Sequence, residues 1–560
     1  MLWATADLLI DEPAALGSVR QERVVSQSSP DAIVVGAGPN GLVAANILAD
    51  AGWSVLVVEA MDEPGGAVRS SDYLGQDTIA DVCSAFYPLG AASPVLHALG
   101  LQDFGLRWSH APDVLAHPLP DGRCAVLSRD LRRTTASLNE LSDGDGDAWQ
   151  QLVALWDRVG DELLDAVFTP FPPVRAGLRL ASKLDAAGAL RLARTAVLPV
   201  RKLIQEDFTG PGALLLAGCA LHADLSPEAT GSGAFGWILA MLGQRVGFPA
   251  VQGGAGALTA ALVRRLESRG GVVRCGSAVS QVVIRNGAAV GIRTESGESI
   301  KASRAVLADV TAPLLFGPLV SWDELPAGMQ DDMRRFQWDY ATFKVDWLVR
   351  DGIPWTAREA AGAGTVHIAD SLNELTQSAA HIAMQQVPAH PFLLLGQMTT
   401  ADPTRSPQGT EVVWAYTHVP RTVRGDAGGT VSGRWDEADN EQLRSRIEHR
   451  IENHAPGFRD RIISQHTSSP RDLQRHNPNL VGGAINGGTM QVHQQLVFRP
   501  IPGLGRPQTP IARLYLASAS AHPGGGVHGA CGANAARAAL AAARLTRRAW
   551  SRGAQLATRH

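Results

Sequence analysis

Along this chain of 560 residues the spacing of apolar and polar positions changes period several times, and each change predicts an element. A short apolar run, Ile33 to Val35, enters a glycine-rich turn; a helical pattern follows, and a second apolar run, Val55 to Val58, closes on Glu59. Unbroken apolar runs of this length, bounded by turn residues, read as strands buried on both faces. The stretch 246–315 repeats the theme. GGAGALTAALVRRLESRGG predicts a loop and helix, VVRC and AVSQVVI predict strands, and RAVLADV a return strand. Asn286-Gly287, set between two of these patterns, predicts a two-residue hairpin turn. Residues 341–355 alternate instead: Phe343, Val345 and Trp347 share one face and Lys344 and Asp346 the other, as in a half-buried strand. Residues 105–245 read as mainly helical, with a basic amphipathic stretch at 174–208, whereas 320–500 mixes strand and helix patterns.

The first of these units carries chemistry. Gly36, Gly38 and Gly41, with Pro39 and Asn40 between them, stand where the strand turns into the helix, and Glu59 ends the next strand. In such a unit one glycine makes the turn, one admits a pyrophosphate, and one lets helix and strand pack closely. The helix start aims free N–H groups at phosphate, and the acid accepts from ribose hydroxyls. Strand, turn, helix, strand and acid together point to a dinucleotide. No second unit of this kind appears. Gly253-Gly254-Ala255-Gly256 precedes a helix but lacks the strand ending in an acid, which argues against a separate NAD(P)H site and for electrons that come from the substrate.

Composition narrows the partners. With 50 basic and 54 acidic residues the net charge is −4, which offers no argument for nucleic acid. The five cysteines form no CxxC pair and no metal spacing, which excludes a dithiol–disulfide reductase and fits a reducing, cytoplasmic setting. No apolar stretch reaches the roughly 18 residues of a membrane span. The 174–208 segment leaves two readings open, a helical cap over a substrate cavity or peripheral contact with a membrane surface.

Two further motifs carry a resemblance. Glu59-Ala60 is followed by Gly65-Gly66-Ala67-Val68-Arg69, and residues 513–540 read RLYLASASAHPGGGVHGACGANAARAAL. Over about 31–545 the chain resembles the phytoene desaturase-related FAD oxidoreductases of the amine oxidase superfamily, in particular the branch with an HPGGGVHGACGANAA signature. The resemblance implies FAD as cofactor. It implies an α/β fold with a Rossmann-like FAD-binding domain assembled from 31–104, 246–319 and 501–548. A mixed α/β substrate domain with a helical cap would come from 105–245 and 320–500. Residues 1–30 remain as an N-terminal extension and 549–560 as a tail.

By the same resemblance, Gly65, Gly66, Ala67 and Arg69 lie along the diphosphate, and Val279 meets the adenine through its backbone. Ala519, Gly526, Val527 and His528 flank the flavin ring. Amine oxidases hold a water at flavin N5 with a lysine on a substrate-domain strand, which makes Lys344 a catalytic candidate. His528 and His522, beside the glycine turn, are candidates for taking a substrate proton or stabilising reduced flavin. His418 is a weaker one. The expected activity is hydride removal from a hydrophobic small molecule, with oxygen or a quinone-type acceptor and homo-oligomers open. The alternatives are a flavin amine oxidase, a flavin-dependent isomerase, or a binding protein with structural FAD.

Overall fold

The computed structural model describes residues 29–557, so most of the expected N-terminal extension lies outside the described residues. The expected tail does not start where the sequence suggested, because the helix Ala530–Ala557 runs through 549.

The two apolar runs at the start become the centre of a five-stranded parallel sheet. Its order is Leu514–Leu516, Ala305–Ala308, Ala32–Val35, Val55–Val58, Val272–Arg274. Strand Ala32–Val35 lies in register with Ala305–Ala308 on one side and Val55–Val58 on the other. All three are buried along their whole length, because helices Pro39–Asp50, Ala255–Ser268 and Ala530–Ala557 cover one face. A three-stranded antiparallel sheet, Val279–Arg285, Ala288–Thr294 and Ser299–Lys301, is joined to it. Its first hairpin turns at Asn286 and Gly287, both at positive φ (50° and 71°), as a two-residue turn of this twist requires.

A second, seven-stranded sheet has the order Ile462–Ser468, Ala341–Arg350, Thr410–Val419, Leu393–Gln397, Ala363–Ile368, Asp113–Pro118, Cys124–Leu127. The two faces read in 341–355 are kept, but the strand Ala341–Arg350 is buried on both, not half-buried: Phe343, Val345 and Trp347 pack with Leu443, Ile447 and Ile451 of helix Glu437–His454, while Lys344 and Asp346 face the other way and are buried too. Residues 105–245 depart from the mainly helical expectation at their start. Asp113–Pro118 and Cys124–Leu127 join this sheet. Both strands are buried on both faces, so they show no alternation to betray them. From Leu131 to Arg245 the segment is helical, and Leu214–His222 packs with Ser232–Arg245 above the sheet. No described helix is long and apolar enough to cross a membrane.

Candidate active site

The glycine turn leaves the carboxyl end of strand Ala32–Val35. Gly36 adopts φ +95° and donates its N–H to Val58 O at 2.8 Å. A Cβ on Gly41 would lie 2.3 Å from Gly36 O, so the third glycine closes the turn. Gly38 has a further reason to be glycine: its Cβ position is 2.6 Å from Asp309 Oδ2. Asp309 follows strand Ala305–Ala308, is buried beneath all three glycines, and accepts the Gly41 N–H at 2.8 Å. Burial, the nearest determinant, raises its pKa well above the carboxylate range, and Glu59 adds to the rise. Pro39 opens the helix at a position that needs no N–H. Asn40 is buried with its Oδ1 unpartnered. Where helix Ala530–Ala557 crosses, a Cβ on Gly532 would fall 1.9 Å from Asn40 O, so the two helices meet backbone to backbone.

Glu59 accepts from Ala37 N–H at 2.7 Å and Met61 N–H at 2.9 Å, which aims its carboxylate across the turn. Each oxygen keeps acceptor capacity for a hydroxyl. Ala60 beside it is exposed. Gly65 and Gly66, both at positive φ, fold under Gly38, and a Cβ on Gly66 would be 3.4 Å from Gly38 Cα. Ala67 O accepts from Ser84 N–H at 3.1 Å. Arg69 is tied to Gly66 O (3.0 Å), Glu63 (2.8 Å) and His476 O (2.7 Å), so in this structure it braces the turn from behind. Val279 begins the strand that leaves the Glu59 edge, where Ser277 N–H meets Glu59 O at 2.8 Å.

The C-terminal turn is built on Arg499, which the sequence reading missed. Its guanidinium is fully buried against Gly524 and donates to the carbonyls of Ala519, Asn486 and Thr489 at 2.7–2.9 Å. Desolvation pulls its pKa down to about 10, so it remains a cation at neutral pH. Gly526 packs on Leu89, and Val527 takes φ +52°, a left-handed conformation that costs a β-branched residue about 1–3 kcal/mol. His528 Nδ1 accepts the Ala530 N–H at 3.0 Å, its carbonyl accepts from Ser93 Oγ at 2.6 Å, and its ring leans on Phe168. His522 Nε2 lies 3.1 Å from Thr169 O. Burial lowers both histidines to about 4 and leaves them neutral at pH 7. Lys344 is buried and bound to both oxygens of Asp346 and to Asp81 O (2.9 Å). Its three ammonium hydrogens are thereby matched by acceptors within the protein.

A third group of side chains lies on the inner face of the seven-stranded sheet. Cross-strand register sets Thr342 beside His418 and Lys344 beside Tyr416, and the strand of Leu394 connects Tyr416 to His367. Helix Leu214–His222 covers them, with His222 at its end and Asp224 just beyond. His222 and Tyr416 are not fully buried and keep part of their surface accessible. Phe86 stands against Trp414 (6.0 Å), and Trp414 stacks on Tyr416 (5.8 Å). One signal was legible: Trp414, Tyr416 and His418 recur at every second position of WAYTHV.

The residues present fit FAD. A glycine cradle that any Cβ would fill, an unpartnered buried Asn40 Oδ1 and an aimed Glu59 carboxylate match the diphosphate and ribose donor and acceptor set. The family model for flavin containing amine oxidoreductase matches residues 40–540. The rat protein called pyridine nucleotide-disulfide oxidoreductase domain-containing protein 2 is 28% identical over 551 residues, covering 90% of this chain and 92% of that protein. The neurosporene-forming phytoene desaturase of Rhodobacter capsulatus is 22% identical, covering 89% and 91%. Putrescine oxidase, solved with putrescine bound, superposes with a TM-score of 0.59 at 15% identity over 92% of this chain and 99% of that one.

Proposed function

Because the chain belongs to the flavin containing amine oxidoreductase family and is an FAD-dependent oxidoreductase, we propose that it dehydrogenates a largely apolar small molecule held between the C-terminal glycine turn and the inner face of the seven-stranded sheet. The observation that carries this reading is the run of aromatic side chains Phe86, Trp414, Tyr416 and His222 on the inner face of the seven-stranded sheet, with Leu89 packed against Gly526 of the C-terminal turn. Apolar walls with few convergent polar groups are the usual form of such a site. FAD, when bound, supplies the hydride acceptor. Segments 31–104, 246–319 and 501–548 form the unit that holds it, through Gly36, Gly38, Asn40, Gly41, Glu59, Gly65 and Gly66. Segments 105–245 and 320–500 form the unit that holds substrate.

The chain's own residues divide the work. Arg499 and the start of helix Ala530–Ala557 place positive potential behind the Gly524–Gly526 turn, where reduction adds negative charge. His528 orders that turn by capping the helix. Lys344, held by Asp346, acts as a fixed cation on the sheet. The acceptor is oxygen or a quinone. The test is anaerobic incubation of the yellow protein with polyenes, alcohols and amines while the oxidised flavin bands are followed. Bleaching by one compound class supports the reading. A flavin that none bleaches, or that NADH or NADPH bleaches at micromolar levels, overturns it.

A further inference from the structure

Four buried polar side chains and the partly buried His222 meet on the inner face of the seven-stranded sheet, and several of their polar atoms lack partners. His367 has neither ring nitrogen bonded, and His222 Nδ1 and Thr342 Oγ1 are likewise unpaired, while the His418 ring faces the Leu221 backbone and Asp224 without a well-aligned hydrogen bond. Asp224 Oδ1 lies 3.1 Å from His418 Nε2 but out of line for a hydrogen bond. His367, Thr342, His418 and Asp224 are each at most 3% exposed. Buried polar atoms are almost always hydrogen-bonded, and each one left unsatisfied costs about 1–3 kcal/mol. So dense a set of orphans marks a place where something else completes the bonds.

The set is contiguous. His222 lies 6.1 Å from His367 and 6.2 Å from Tyr416, and Tyr416 lies 5.5 Å from His418, all between ring centroids. Gly218 admits the His367 ring, since a Cβ there would lie 2.3 Å from Nδ1. The cluster also reaches the C-terminal turn. Asn486 Nδ2 donates to Asp224 Oδ2 at 3.0 Å, and Asn486 Oδ1 sits 2.8 Å from the Cβ position of Gly525. Burial holds His222 near 4 and His418 near 3, lowers His367 well below the ordinary range, and raises Asp224, with Asp339 adding to the rise. At neutral pH the imidazoles are therefore uncharged, and burial disfavours charge on Asp224 as well, so the cluster favours neutral donors and acceptors.

We propose that His222, His367, His418 and Tyr416 form a binding site for an uncharged oxygen function, a hydroxyl or carbonyl, on the apolar substrate. This rests on the dehydrogenase reading and narrows it, away from pure hydrocarbons and from ammonium-bearing amines. A hydrocarbon would leave the orphans unsatisfied. An ammonium ion would meet imidazoles and a carboxyl on which burial disfavours charge.

The test measures binding alone, so that it stands apart from flavin reduction. FAD-loaded protein is titrated anaerobically with two matched ten-carbon sets: decanol, decanal, decane and decylamine; geraniol, geranial, myrcene and geranylamine. Perturbation of the flavin bands and the unfolding midpoint report occupancy. The alcohol or aldehyde of at least one set is expected to half-saturate at a tenth or less of the concentration its hydrocarbon and amine need. Tyr416→Phe and Thr342→Val should raise that concentration about tenfold with FAD retained, and His418→Phe should do so more strongly. Equal or tighter binding of hydrocarbon or amine, no response to any compound, or unchanged binding in the folded Tyr416→Phe and Thr342→Val proteins overturns the assignment. Binding without bleaching would leave this site standing while removing the dehydrogenase reading for that compound.

Discussion

At the scale of the residue, the missing atoms of the glycines and the missing partners of the histidines decide most. Gly41 cannot accept a side chain, because the Cβ would meet the backbone oxygen of Gly36 at 2.3 Å and neither group can swing aside. Gly41→Ala is expected to cost about 1–3 kcal/mol by overpacking and to release FAD, which the absorbance of the gel-filtered protein would show. His418 makes a second prediction. Its folded pKa, about 3, lies below the ordinary value of 6.5, so the unfolded chain binds a proton that the folded one refuses. Its contribution to stability is complete above pH 6.5 and is lost as pH falls towards 3, at about 1.4 kcal/mol per pH unit. His418→Phe should flatten the fall in melting temperature between pH 6.5 and 4 relative to wild type. Parallel curves would show that the ring is not buried neutral.

At the scale of the element, the helices Val174–Ser182 and Ala186–Val197 stand out. Val174 (61%), Leu178 (67%), Leu190 (73%) and Val197 (55%) are exposed. Val492, Leu496 and Phe498, nearby in the fold through Gly231 and Ala196, extend the apolar area. These helices pack on Asp145–Phe168 and Ser232–Arg245, and their outer surface is the one that the reading of peripheral membrane contact requires. Apolar side chains on a basic amphipathic surface suit the interface of anionic lipid. The expected outcome is co-sedimentation with vesicles of mixed neutral and anionic lipid, weakened several-fold by Leu178→Ser with Leu190→Ser and by high salt. Equal recovery of wild type and double variant in the pellet would remove the membrane reading.

At the scale of the whole molecule, the nucleotide-binding sheet joins strands from residues 32–58, 272–308 and 514–516, with Asp309 from the second piece packed under the glycines of the first. A ligand lying across these pieces stabilises the folded state by mass action, about 4 kcal/mol at a thousandfold excess over Kd. Removal of FAD is therefore expected to lower the melting temperature by several degrees and to loosen the sheet's amide exchange, with recovery on adding FAD back. An apoprotein as stable as the loaded one would show that FAD does not bridge the segments.

Local pattern alone was enough for the strand–turn–helix unit at 32–59, the Asn286-Gly287 hairpin and the alternating strand around Lys344, because each is specified by neighbours within about thirty residues. The phosphate turn needs glycines at fixed spacing, and a strand whose two faces differ in polarity needs period two, so both leave marks in the chain. The double burial of Asp113–Pro118 erased its period, and the strand was unreadable for that reason. The roles of Asp309, Arg499, His222, His367 and Asp224, and the company His418 keeps, were decided only by tertiary structure. Their meaning lies in what surrounds them: a carboxylate under three glycines, a guanidinium among carbonyls, imidazoles left without partners. Such environments depend on how separate strands, helices and loops pack together, and no local spacing records them.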